Sequence, residues 1–156
     1  MKAAAFAVAV LLAGSADELA TTEVGALRLK APAAWQRTEN EGTTRFAAPS
    51  GEAYFEIDVG QVQRQGGMPA AECLGKILDA LGGPQGFKKV TIGGQPAAMK
   101  ESADKDEAGK TFLTQEWVGC SGRTTWSLQF HMVDAKKDRF AKVAESVGKS
   151  VEYKGK

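Results

Sequence analysis

Residues 110–133, KTFLTQEWVGCSGRTTWSLQFHMV, constrain the fold of this chain more than any other stretch. They hold two of the three Trp, one of the two Cys and the only His. From Thr125 onward large apolar residues alternate with polar ones. Trp126, Leu128, Phe130 and Met132 face one way, and Thr125, Ser127, Gln129 and His131 the other, which is the period of a half-buried strand. The incoming segment is less regular, because Phe112 and Leu113 are adjacent. A turn at Ser121-Gly122, or a loop from Cys120 to Arg123, is expected to set Trp117 opposite Trp126 and Leu113 opposite Phe130. A one-residue slip would send one Trp to each face. Cross-strand aromatic pairs contribute roughly 0.2–1 kcal/mol, which favours the register that keeps both indoles together. The opposite face then carries Phe112, Thr114, Glu116, Val118 and Cys120 against His131, Gln129, Ser127, Thr125 and Arg123, and is mostly polar.

The rest of the chain supplies shorter strands and two helices. Residues 23–30 read as a first strand, 35–38 and 44–48 as short strands between turns, and 52–62 as a longer one. In this last strand Tyr54, Glu56 and Asp58 share one side, and Phe55, Ile57 and Val59 the other. Pro69 suits the first position of a helix whose stripe is Ala70, Cys73, Leu74, Ile77, Leu78 and Leu81, stopped by Gly82-Gly83-Pro84. Residues 87–92 and 96–101 read as two strands around Gly93-Gly94, and the acidic run 101–107 as a solvated loop. Asp134 is expected to cap a second helix with Phe140, Val143, Ala144 and Val147 inward. Gly148 is expected to close it, and Ser150-Val151 to extend back against the sheet. The class is α+β, an antiparallel sheet with helices packed on it.

Residues 1–16 read as a signal peptide. Lys2 is basic, residues 3–13 are apolar, and Gly14-Ser15-Ala16 puts small residues where a signal peptidase cuts. The apolar run is far short of the roughly 20 residues that span a bilayer, and no later run is apolar enough. Residues 17–156 then form one domain, of ordinary composition with 43% apolar and 25% charged residues. Without Lys2 the 19 acidic residues are balanced by as many basic ones. A neutral domain lacks the electrostatic footprint of nucleic-acid binding. The sequence therefore places the protein outside the cytoplasm, in the periplasm or beyond the cell.

Export gives the two cysteines a meaning. In an oxidising compartment Cys73 and Cys120 are candidates for one disulfide, worth ~4 kcal/mol in the chain-entropy model; the alternative is one buried and one peripheral thiol. The bond would require the first helix to cover the face opposite the Trp pair, or the hairpin tip to bend. His131 stands without the spaced partners of a metal site, and the serines lack the strained turn of a nucleophile. The glycine pairs lack the lysine and hydroxyl endings of phosphate loops, so no cofactor is implied. Glu56 and Asp58 read as the solvent side of a strand, and the three Trp as core.

The order of elements resembles the PsbP-like fold, shared by a photosystem extrinsic subunit, a Ran-binding import factor, bacterial envelope proteins and secretion-effector chaperones. The similar features are Ala31-Pro32-Ala33-Ala34-Trp35, then Phe46-Ala47-Ala48-Pro49-Ser50-Gly51 leading into a strand. Gly94-Gln95-Pro96-Ala97, the long hairpin and a terminal helix with Phe140 before Ser150-Val151 complete the set. The resemblance implies an α/β/α sandwich and a non-enzymatic binding or assembly role, and it transfers no functional residue. The sequence reading is thus an exported module that contacts a protein partner, with Glu116, Gln129 and His131 as the candidate partner face. The alternatives are a small carrier holding an apolar ligand in a Trp-lined cleft, and a small hydrolase.

Overall fold

A computed structural model describes residues 16–155. Apart from Ala16, the leader assigned to residues 1–16 lies outside the described residues. The chain runs through β1 (Leu19–Val24), β2 (Leu27–Pro32), β3 (Gln36–Asn40), β4 (Thr43–Ala47), β5 (Ala53–Gln61) and α1 (Ala70–Ala80). It continues with β6 (Lys88–Ile92), β7 (Gln95–Lys105), β8 (Thr111–Cys120), β9 (Thr124–Val133), α2 (Lys137–Lys149) and β10 (Glu152–Tyr153). Among the described residues these strands form a seven-stranded antiparallel sheet, ordered β3-β4-β5-β9-β8-β7-β6, and a three-stranded one, β1-β2-β10.

The main core lies between one face of the large sheet, the small sheet and α2. Phe46, Phe55, Ile57, Leu128, Phe130 and Met132 from the large sheet meet Leu27 and Leu29 from β2, and Phe140, Ala144 and Val147 from α2. Trp35, just before β3, fills the centre; its ring lies 6.2 Å from Phe55, 5.7 Å from Phe130 and 6.0 Å from Phe140. A second, smaller core forms on the opposite face, where Leu74 and Leu78 of α1 pack on Ala98 of β7 and Val118 of β8. Both faces of the sheet therefore carry a helix, and the layers are those of an α/β/α sandwich.

Cys73 and Cys120 are bonded, with the sulfurs 2.07 Å apart and the Cα atoms separated by 6.1 Å. Helix α1 thus covers the hairpin tip on the face away from the tryptophans, the arrangement that the bond required.

The register differs from the sequence expectation by two residues. The turn is Gly122-Arg123, closed by Ser121 N–H donating to Thr124 C=O at 3.0 Å. Gly122 has φ +91°, the first central position of a type II′ turn. A side chain there would meet the Met68 carbonyl at 2.2 Å, so the turn is also fixed by the loop entering α1. Trp117 consequently pairs with Leu128, and Trp126 with Gly119. Parity is unchanged, so both indoles still face the main core. The stagger lays the Trp126 ring over Gly119, where the missing side chain leaves room for it.

Other boundaries moved for identifiable reasons. The single strand expected over 23–30 is the hairpin β1–β2, turning at Gly25 with φ +54°. The acidic run 101–107 is mainly strand: β7 continues to Lys105 because β8 supplies its hydrogen-bond partners through Thr111. Asp134 begins a short 3-10 turn, and α2 starts after Lys136 with no side-chain cap. Gly148 lies inside α2 rather than after it, and β10 pairs with β2 of the small sheet.

Candidate functional site

Helix α1 covers only part of its face of the large sheet. It packs on β7 and β8 near Ala98 and Val118, leaving the adjoining side chains of β4, β5, β9 and early β8 exposed or half-buried. Strand pairing places Tyr54, His131 and Thr114 in one row across β5, β9 and β8. A second row runs Arg45, Glu56, Gln129, Glu116 and Lys100.

The rows are held by side-chain contacts that leave little freedom. The Arg45 guanidinium sits 3.7 Å above the Tyr54 ring, and the Tyr54 and His131 rings stack with centroids 4.6 Å apart. His131 Nδ1 and Thr114 Oγ1 are 2.9 Å apart, a hydrogen bond whose direction follows the imidazole tautomer. Arg45 also pairs with Glu56 at 3.2 Å, and Lys100 with Glu116 at 3.5 Å. Burial lowers the His131 pKa; the Glu56 charge opposes that shift and the Arg45 charge adds to it. The imidazole is therefore held towards its neutral form, which suits its place between an arene and a hydroxyl.

Of the residues read from sequence, Glu116 and Gln129 are direct cross-strand partners, and His131 lies in the neighbouring row. Cys120 belongs to the same face but is sealed beneath α1. Arg45, Tyr54 and Thr114 are the members that sequence reasoning did not single out. The signal for Tyr54 was present, since it alternates with the buried Phe55 and Ile57, but only the pairing of β5 with β9 brings it to His131.

Thr114 and His131 have the spacing of a hydroxyl and a base. Tyr54 stacks on the ring, however, and no carboxylate bonds the far imidazole nitrogen among the described residues, so the orienting member of a triad is missing. No group of three or more His, Cys, Asp or Glu gathers into a metal-holding cluster among the described residues. The expectation of a Trp-lined cleft needs correction. Trp35, Trp117 and Trp126 are 5%, 1% and 2% exposed and packed into the core, so their rings line no open cleft. What the uncovered face offers is a prearranged surface of stacked rings and paired charges.

No protein-family model matches the sequence, and no curated protein is similar to it. Solved structures do match the fold. LpqN of Mycobacterium tuberculosis, involved in cell envelope biogenesis, aligns with a TM-score of 0.58 at 13% identity, over 86% of this chain and 90% of its own. The Ran-binding protein Mog1p of Saccharomyces cerevisiae aligns with a TM-score of 0.55 at 8% identity, over 87% of this chain and 95% of its own. The chain shares the fold of LpqN and Mog1p, the architecture that the PsbP-like resemblance implied. A Bacteroides thetaiotaomicron protein gives a TM-score of 0.64 at 21% identity over 84% of this chain, which spans only 46% of that protein. The PsbP-like likeness is one of architecture, since function resides in sites rather than in folds. Among the described residues no helix is long and apolar enough to cross a membrane.

Proposed function

We propose that this protein is an exported, non-enzymatic binding module whose uncovered sheet face contacts a protein partner. The observation that carries the reading is the chain of contacts from Arg45 in one row to Tyr54, His131 and Thr114 in the next, stacked and hydrogen-bonded across four strands without a covering element. Arg and Tyr are enriched at protein interfaces, and side chains already held in place lose less entropy on binding. The matched folds include a Ran-binding protein and one involved in cell envelope biogenesis, which supports a binding role in general terms. Export rests on the leader read over residues 1–16 and is consistent with the Cys73–Cys120 bond.

A photo-crosslinking side chain at Gln129, exposed near the middle of this face, tests the proposal in the native host. It should capture one discrete partner, and the same probe at Lys88 on the opposite edge strand should not. Arg45→Glu with Tyr54→Ala should abolish the capture while the fold is retained. Equal capture at Gln129 and Lys88, or none at either, would overturn the reading. Mass spectrometry of the secreted chain should find cleavage after Ala16.

A further inference from the structure

The core-facing side of the hairpin ends in a groove of about 640 Å³ between α2 and the outer part of β7. Its floor is Leu113, Gln115 and Met132, with Ala103 on one wall and Ala141 on the other. Where α2 presents Ala141 instead of a large side chain, Leu113 is only half-buried although it faces the same way as Trp117. The volume is that of a small-molecule site, for which about 300–1,000 Å³ is usual.

We propose that this groove binds a small, largely apolar, uncharged molecule carrying an N–H or O–H donor. The donor requirement comes from Gln115, which is 8% exposed. Its Nε2 donates to Glu101 Oε1 at 3.2 Å, which orients the amide and leaves Oε1 as an acceptor. That Oε1 is buried and has no hydrogen-bond partner among the described residues. An unpaired buried acceptor is destabilising, and a ligand donor entering over β8 would satisfy it. The lack of net charge comes from the rim, where Lys137 and Lys142 are matched by Glu101 and Asp138. A charged ligand of either sign would meet one like-charged pair. The site lies on the opposite side of the sheet from Tyr54 and His131, so it stands or falls independently of the partner face.

N-phenyl-1-naphthylamine, an uncharged aromatic fluorophore with one N–H, is a suitable probe for the purified, disulfide-bonded protein. Its fluorescence should rise to saturation at one site per chain. 1-Phenylnaphthalene, which lacks the N–H, should bind about threefold to tenfold more weakly, the range of a single neutral hydrogen bond. Ala103→Trp fills the wall from an exposed strand position, where Trp is compatible with β structure, and should weaken both probes at least about tenfold with unchanged melting. Gln115→Leu should erase the preference for the N–H probe. Unsaturable fluorescence, or wild-type binding by Ala103→Trp, would overturn the site. Equal binding of the two probes by the wild-type protein, or a preference that survives Gln115→Leu, would overturn the donor requirement.

Discussion

Two indoles in the hairpin each rest against a glycine, and this close approach dictates what those positions tolerate. A Cβ on Gly119 would lie 2.6–2.8 Å from the Trp126 ring, and one on Gly148 would lie 2.4–2.9 Å from the Trp117 ring. Gly148 gives a clean contest of effects. Replacing a helix-interior Gly by Ala ordinarily stabilises by roughly 0.5–1 kcal/mol. Here the methyl group would push a fully buried indole, and overpacking costs about 1–3 kcal/mol. Gly148→Ala is therefore expected to lower stability by about 1–2 kcal/mol in urea denaturation, against the helix-propensity trend. His131 makes a second prediction at this scale. Its folded pKa is lowered, so as pH falls below its ordinary value near 6.5 the unfolded chain binds the proton first. The stabilisation is present above that pH and is lost as pH falls through the folded pKa. Stability measured between pH 7.5 and 5 should decline less in His131→Gln than in the wild-type chain.

At the scale of elements, α1 depends on one bond and a small apolar patch. Cys73, Leu74 and Leu78 are buried as the stripe required, but Leu81 is 44% exposed because the helix ends at Ala80, beyond the cover of the sheet. The disulfide joins residues 47 apart, and closing such a loop contributes about 4 kcal/mol in the chain-entropy model. Cys73→Ala combined with Cys120→Ala should remove about that much from the urea-unfolding free energy. The sheet should persist, because Leu74, Leu78, Ala98 and Val118 still pack together. Elements with alternating apolar residues, such as β5 and β9, could be placed from sequence directly. The outer half of β7 could not: residues 101–105 are all exposed, so no apolar pattern marks them, and their strand character comes from pairing with β8. The β1–β2 hairpin was hidden differently. Its loosely alternating residues 23–30 read as one strand, whereas Val24 and Leu27 are cross-strand partners that both point into the core, which their odd spacing forbids in a continuous strand.

For the whole molecule, the decisive asymmetry is that α2 and the small sheet close one face of the large sheet, whereas α1 closes only part of the other. The crosslinking experiment at Gln129 belongs to this scale, because the candidate face exists only where α1 stops. Sequence alone determined which side chains of each strand travel together, since the two-residue period is a local property. It thereby settled that Trp117 and Trp126 share the core, and that Glu116, Gln129 and His131 share the other face. It also supplied both disulfide partners and the order of elements of the PsbP-like fold. Tertiary structure alone decided the two-residue stagger of the hairpin, because parity is indifferent to it. The choice is made by the Gly122 turn against Met68 and by the room over Gly119 for an indole. Likewise only the pairing of β4, β5, β9 and β8 brings Arg45, Tyr54, His131 and Thr114 into contact on one face, joining residues up to 86 positions apart that no local pattern links.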